Sequence, residues 1–116
     1  MTRMHEVSLM ESVIALVEDQ ARLTPFSRVR VVRLQLGALG PAEPDCLRFC
    51  FDAVARGTIA EGATLDIVIV AAQARCPACK RITPLQDRFD ACPLCANPER
   101  HIIIGDELRL SELEVE

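Results

Sequence analysis

CPACKRITPLQDRFDACPLC, residues 76–95, contains two Cys-x-x-Cys pairs, Cys76-Pro77-Ala78-Cys79 and Cys92-Pro93-Leu94-Cys95, separated by 12 residues. A tetrahedral metal takes four donors, and thiolates hold Zn²⁺ at about 2.3 Å. Each Cys-x-x-Cys turn brings two thiolates to one edge of such a site, so two turns close the shell. The proline after each leading cysteine fixes φ at about −65° and helps preform the turn. The stretch Asp87 to Asp90 can make the hairpin that brings the turns together. Four thiolates leave no open position for water or substrate, so the zinc implied here is structural and not catalytic. Free dithiols or redox pairs are the competing readings. A redox pair normally opens a helix in a thioredoxin-like βαβ unit, which the flanking sequence lacks.

Residues 75–101 contain few large apolar side chains. Their core must therefore be largely the metal, whose binding contributes about 10–16 kcal/mol in small zinc modules. The rest of the chain is rich in Val, Ile, Leu and Ala and can bury an ordinary core. The expected organisation is a zinc-binding domain over 75–101, inserted into a body made of 1–74 together with 102–116.

Composition narrows the function classes. The 116 residues carry a net charge of −4, and aromatic residues make up 3%, with no Trp or Tyr. A nucleic-acid-binding zinc module presents a basic face and stacking aromatics, and neither is evident. There is no 18-residue apolar run, and Glu6 and Glu11 interrupt the region where a signal peptide would be apolar. These features predict a cytoplasmic protein with reduced thiols.

Ser8 followed by Glu11 reads as a capping box. A helix is expected from there to Leu23, with Met10, Val13, Ile14, Val17 and Ala21 on its apolar face and Pro25 closing it. Arg28 to Leu36 alternates as a strand whose apolar phase changes at Val31-Val32, which calls for a bulge or for burial on both faces. Gly37 to Pro44 is a loop. Asp45 is expected to cap a second helix running to about Arg56, with Leu47, Cys50, Phe51 and Val54 inward; Cys46 and Cys50 read there as small core residues. Ala63 to Ala72 predicts a second strand and Glu107 to Val115 a third, with a short extended piece at His101 to Ile104. The fold class is α+β: a three-stranded sheet covered by two helices, with a small zinc-ribbon-like module inserted before the last strand.

No phosphate loop, nucleophile elbow or other catalytic set is present, so no enzyme is expected. Met4-His5-Glu6 stands ahead of the expected first helix, where a His beside a Glu is ordinarily a solvated surface pair. The motif nevertheless resembles the opening of the HypA/HybF family, the hydrogenase nickel-incorporation accessory proteins. The likeness continues in order through Leu34-Gln35-Leu36-Gly37, FCFDAVARGTIAEGATL (residues 49–65), the paired cysteine motifs and GDELRLSELEVE (residues 105–116).

The resemblance implies a nickel metallochaperone that helps insert Ni²⁺ into the large subunit of [NiFe]-hydrogenase, working with a nickel-binding GTPase; in some members the same delivery serves urease. Carried over by position, His5 is the principal nickel ligand and Glu6 its neighbour. Glu43 stands at about the place where some members have an Asp near the nickel. The body formed by 1–74 and 102–116 then becomes the nickel-binding domain, while Cys76, Cys79, Cys92 and Cys95 hold zinc. Nitrogen and oxygen donors suit Ni²⁺ and four thiolates suit Zn²⁺, so two donor sets separate two metals. Three departures stand out. Met1-Thr2-Arg3 precede the motif, so the Met4 nitrogen is a peptide amide; Lys80 and Ala96 follow the cysteine pairs where some members carry a His; and Glu43 replaces Asp. The alternative from another class is a zinc-ribbon adaptor that binds protein or nucleic acid and carries no nickel.

Overall fold

The computed structural model describes residues 2–116 and has two helices and six strands. Helix α1 runs Thr2–Leu23, six residues longer at its start than the capping box predicts. No Gly or Pro lies between Thr2 and Leu23 to stop it. Ser8, the expected cap, is instead inside the helix, and its carbonyl accepts a bond from Ser12 Oγ at 3.1 Å. Pro25 ends the helix as expected.

Strand β1, Val29–Gly37, is followed by helix α2, Pro44–Ala55, and strand β2, Thr64–Val70. Within β1, Val29 is buried and then Val32, Leu34 and Leu36, so the change of apolar phase appears as burial that switches face. Helix α2 begins one residue before the expected Asp45 cap. Pro44 occupies its first turn because its fixed φ is already helical and its missing N–H has no intrahelical partner to lose. Glu43 is the N-cap, without a side-chain cap bond. Asp45 sits in the first turn and pairs with Arg48 at 3.1 Å.

The stretch expected as a single strand to Ala72 is divided: β2 stops at Val70, and a short β3, Gln73–Arg75, opens the inserted module. β4, Ile82–Pro84, and β5, His101–Ile104, complete that module, and β6, Leu108–Val115, closes the chain. The main sheet has the order β2-β1-β6 and the small one β4-β3-β5. The structure thus has the α+β class and layout read from sequence. Bonds from Ala38 N to Val70 O, and from Val29 N to Ile59 O, advance in the same sense along both segments, so β1 and β2 run parallel, joined by α2. Glu116 N to Arg28 O at one end and Gly37 N to Glu107 O at the other make β6 antiparallel to β1.

The chain forms two compact units, Met1–Leu34 with Ala42–Val68 and Leu110–Glu116, and Gln35–Pro41 with Ile69–Arg109. In the first, α1 packs on α2. Met10, Val13, Ile14 and Val17 are buried, as are Leu47, Phe51 and Ala55. On the other side of β1 from Val32 and Leu34, the Arg33 guanidinium pairs with Asp66 of β2 at 2.7 Å and with Glu112 and Glu114 of β6 at 2.8 and 3.1 Å. The hydrogen bond to Asp66, followed by the one to Glu114, raises the Arg33 pKa further above its ordinary value.

The second unit has a much smaller core, Ala72, Ala74 and Leu85, with Leu39 and Ile102 packed against it. Its sheet is antiparallel, with Ala74 opposite Thr83 and Ile102, and a bulge at Gln73/Ala74. Gly105 has φ +103°, and a Cβ there would lie 2.4 Å from Ala72 Cα. Gly105 O accepts from Leu39 N at 2.9 Å, so this close backbone crossing fixes the end of the module. Gly105→Ala is expected to cost about 1–3 kcal/mol in backbone strain alone, with the steric overlap adding to it. The cost is read as a lower urea midpoint and as faster amide exchange across β3 and β5.

Candidate metal centres

The first Cys-x-x-Cys turn lies at the tip of the β3–β4 hairpin, and the second lies on the connection from β4 to β5. Both are built alike. Lys80 N donates to Cys76 O at 2.9 Å and Cys76 N to Arg81 O at 3.0 Å; Ala96 N donates to Cys92 O at 2.8 Å and Cys92 N to Asn97 O at 2.9 Å. The residue after each second cysteine, Lys80 or Ala96, has φ 65°. This left-handed turn wraps the backbone around the sulfur, and it is strained for a residue with a Cβ. Between the turns, Asp90 Oδ2 accepts from Gln86 N and Asp87 N at 3.2 and 2.9 Å, which closes the expected Asp87–Asp90 bend.

The four sulfurs lie within 4.8 Å of one another, with Cys76 to Cys95 at 3.5 Å and Cys79 to Cys92 at 3.8 Å. Metal–sulfur bonds of about 2.3 Å at tetrahedral angles place sulfurs roughly 3.8 Å apart. The donor set therefore fits a tetrahedral metal without large rearrangement. The Cys79 backbone N–H donates to Cys76 Sγ at 3.5 Å and is the chief cause that lowers the Cys76 pKa to about 6. Leu94 N–H acts first in lowering Cys92. At Cys95 the Asn97 N–H pulls downward, but the neighbouring thiols, Cys76 first, together with burial raise the pKa to about 11. The cluster thus favours thiolate at Cys76 and Cys92 and holds a proton at Cys95, which a metal taken up there would displace.

Arg100 braces the module. Its guanidinium donates to Asp90 O, Ala91 O, Thr83 O and Pro84 O at 3.0–3.4 Å, and also to Thr83 Oγ1. It thereby ties β4 to the segment entering the second turn. Sequence reading does not single out this residue, because a lone arginine carries no spacing signal. Cys46 and Cys50 do not join the cluster; Cys50 is buried in α2 and Cys46 half-buried.

The second candidate set lies in the first unit. His5 and Glu6 are in α1, not ahead of it, and they differ sharply in burial: His5 is exposed and Glu6 is 1% exposed. Glu6 Oε2 accepts the backbone N–H of Glu43 at 3.1 Å. Glu6 thus performs from another helix the task that a capping-box glutamate performs within its own, and its charge faces the positive end of α2. Glu6 Oε1 is buried and has no hydrogen-bond partner. The Glu43 side chain is exposed. The structure therefore brings Glu6 to the backbone of Glu43 and leaves His5 on the surface. The spacing Glu6, Met10, Val13, Val17 carries the signal for this burial once α1 is continued to its true start.

Two helices on a three-stranded sheet, interrupted by a small module with four converging thiols, define an α+β protein built around a preformed cysteine cluster. A family profile described as "Hydrogenase/urease nickel incorporation, metallochaperone, hypA" matches residues 4–115. Hydrogenase maturation factor HypA of Methylocella silvestris is 63% identical over 113 residues, 97% of this chain and 100% of that protein. The protein of the same name from Azotobacter vinelandii is 46% identical over 113 residues, again 97% and 100%. The fold is similar to the solution structure of the Ni metallochaperone HypA from Helicobacter pylori, with TM-score 0.73, 24% identity and coverage of 95% and 96% of the two chains. It is also similar to a second solution structure of a HypA protein, with TM-score 0.75, 26% identity and 97% of each chain covered. The chain belongs to the HypA family of hydrogenase and urease nickel-incorporation metallochaperones, as the motif order resembled. Among the described residues no helix is long and apolar enough to cross a membrane.

Two substitutions probe these geometries. Glu6→Ala removes the acceptor of the Glu43 N–H and is expected to destabilise the first unit by about 1–3 kcal/mol, measured by chemical denaturation. Ala96→Gly relieves the left-handed strain of the second turn and is expected to raise stability by about 0.5–1 kcal/mol after the entropy of the added glycine is subtracted, seen as a higher melting temperature.

Proposed function

We propose that this chain binds Ni²⁺ as cargo and passes it into [NiFe]-hydrogenase during maturation, while a structural Zn²⁺ is held by Cys76, Cys79, Cys92 and Cys95. In this reading residues 1–74 with 102–116 form the nickel-binding part and 75–101 the zinc-binding part. His5 is the principal nickel donor, with Glu6 and Glu43 as carboxylate donors. The work is carriage and handover in the cytoplasm, without an enzymatic step. The receiving partners are a nickel-binding GTPase and the hydrogenase large subunit, and the urease maturation proteins extend the same chemistry to a second destination.

The observation that supports the cargo site is the contrast within one dipeptide: an exposed imidazole at His5 beside a carboxylate whose Oε1 has no partner. An exposed donor lets metal be taken up and released, whereas a closed shell slows exchange. The contrasting donor chemistry supports the division of labour, since imidazole and carboxylate suit Ni²⁺ and four thiolates suit Zn²⁺. Zinc would cross-link the two turns and supply the stability that a core of Ala72, Ala74 and Leu85 lacks.

Metal analysis tests this. The purified chain is expected to keep one zinc through dialysis and to take up one nickel more weakly. His5→Ala is expected to abolish nickel uptake with zinc unchanged, and Cys92→Ala to lose zinc and amide protection in 75–101 while the helix-covered sheet stays folded. No nickel uptake above background, or unchanged uptake in His5→Ala, contradicts the cargo assignment and leaves the adaptor reading.

A further inference from the structure

Core packing accounts for Cys50 but not for Cys46. Cys50 is 3% exposed and belongs to the buried face of α2 with Leu47 and Phe51, whereas Cys46, one turn earlier, is only half-buried. Both are free thiols. Together with Asp45 and Phe49 they line a pocket of about 230 Å³ beside the helix. A cysteine that merely fills a close-packed interior leaves no such space next to it.

The helix sets what two thiols at this spacing can do. Residues four apart have Cβ atoms about 5–6 Å from each other, and helical side chains lean toward the preceding turn, so Cys50 reaches back over Cys46. A disulfide needs a Cβ separation of about 3.5–4.5 Å. While α2 is intact, the pair therefore cannot close on itself. It can share an ion, because two thiolate–metal bonds of about 2.3 Å each span a gap that one S–S bond cannot.

The rest of the pocket selects the ion by softness. The Asp45 carboxylate is engaged by Arg48 at 3.1 Å, and among the described residues the pocket offers no imidazole. Phe49 adds an apolar wall. Zn²⁺ seeks four donors and Ni²⁺ a square-planar or larger set, so two sulfurs alone serve both poorly, while thiolates favour Cu⁺.

We propose that Cys46 and Cys50 form a two-thiolate site for Cu⁺, distinct from the cysteines of the inserted module and from His5. On binding, Cu⁺ replaces the two thiol protons, which pass to solvent, and the resulting bis-thiolate complex carries one negative charge. No oxidation state changes. That charge lies in the first two turns of α2, at the end of the helix where the macrodipole favours an anion.

Thiol alkylation of the full chain, reconstituted with one equivalent of Zn²⁺ and kept anaerobic, tests this. Iodoacetamide is applied before and after one equivalent of Cu⁺ is supplied in acetonitrile, and the labelled cysteines are read by mass spectrometry of a digest. Cu⁺ is expected to slow alkylation of Cys46 several-fold, and the same amount of Ni²⁺ is expected to leave it unchanged. Cys50→Ala, which keeps a small apolar side chain in the core, should remove the protection with the circular dichroism unaltered. Cys46→Ser exchanges a soft donor for a hard one and should weaken Cu⁺ binding about 100-fold, the avidity lost with one of two linked donors, measured by competition with bathocuproine disulfonate. Labelling of Cys76, Cys79, Cys92 and Cys95 in the same digest reports the fourfold cluster separately, so loss of its zinc is not mistaken for occupancy at α2. Equal alkylation of Cys46 with and without Cu⁺, protection that survives in Cys50→Ala, or an affinity that Cys46→Ser leaves unchanged overturns the proposal.

Discussion

Four sulfurs gathered within 4.8 Å impose the constraint on which the second unit depends. Thiols at that spacing compete for protons, and backbone N–H groups push Cys76 and Cys92 toward thiolate while Cys95 is pushed the other way. Such a cluster has the donors and the spacing to hold a cation. Around it the chain accepts what a larger core would otherwise have to compensate: two left-handed non-glycine residues and only three buried side chains in its apolar cluster. Arg100 supplies a second, permanent brace by binding carbonyls from both sides of the connection between the two turns. The guanidinium fork suits this role, since it offers several donors in a fixed plane.

In the first unit the comparable restraint is a single carboxylate. Glu6 lies in the apolar stripe of α1, where burial is unfavourable for a charged group without compensation. One oxygen is compensated by the N–H of Glu43 and by the helix end behind it. The other is not. A residue of this kind fixes where α1 meets the start of α2 and so sets the position of His5 one residue away. Hydrophobic burial of Met10, Val13, Val17, Leu47 and Phe51 holds the helices together, but it carries little directional information about that junction.

The cysteine module is legible in the sequence because its signal is chemical and local: paired donors at fixed spacing admit few arrangements. The apolar face of α1 and the change of phase in β1 are legible for a similar reason, since periodicity survives without tertiary context. The start of α1 is not. Ser8 and Glu11 satisfy the capping-box pattern, yet the helix passes through them, because nothing in Thr2 to Val7 breaks it and Glu6 finds its partner 37 residues along the chain. The α2 boundary differs by one residue because Pro44 competes with Asp45 for the start. The division at Ala71 and Ala72, the Arg100 brace and the three carboxylates around Arg33 all arise from contacts between distant segments, which no local pattern encodes.

The Arg33 cluster has a consequence for how the sheet assembles. One side chain engages Asp66 on β2 and both Glu112 and Glu114 on β6, so three strands are checked against each other at a single point. A one-residue slip of β1 would turn Arg33 to the side of Val32 and Leu34 and bury its charge among apolar groups. A two-residue slip would keep it outward but carry it about one pleat repeat away from at least one set of acids. Both errors are penalised at once, because the acids that receive the guanidinium come from strands on both sides of β1. The guanidinium is therefore a register pin: only β1, β2 and β6 aligned as they are bring all three carboxylates to it.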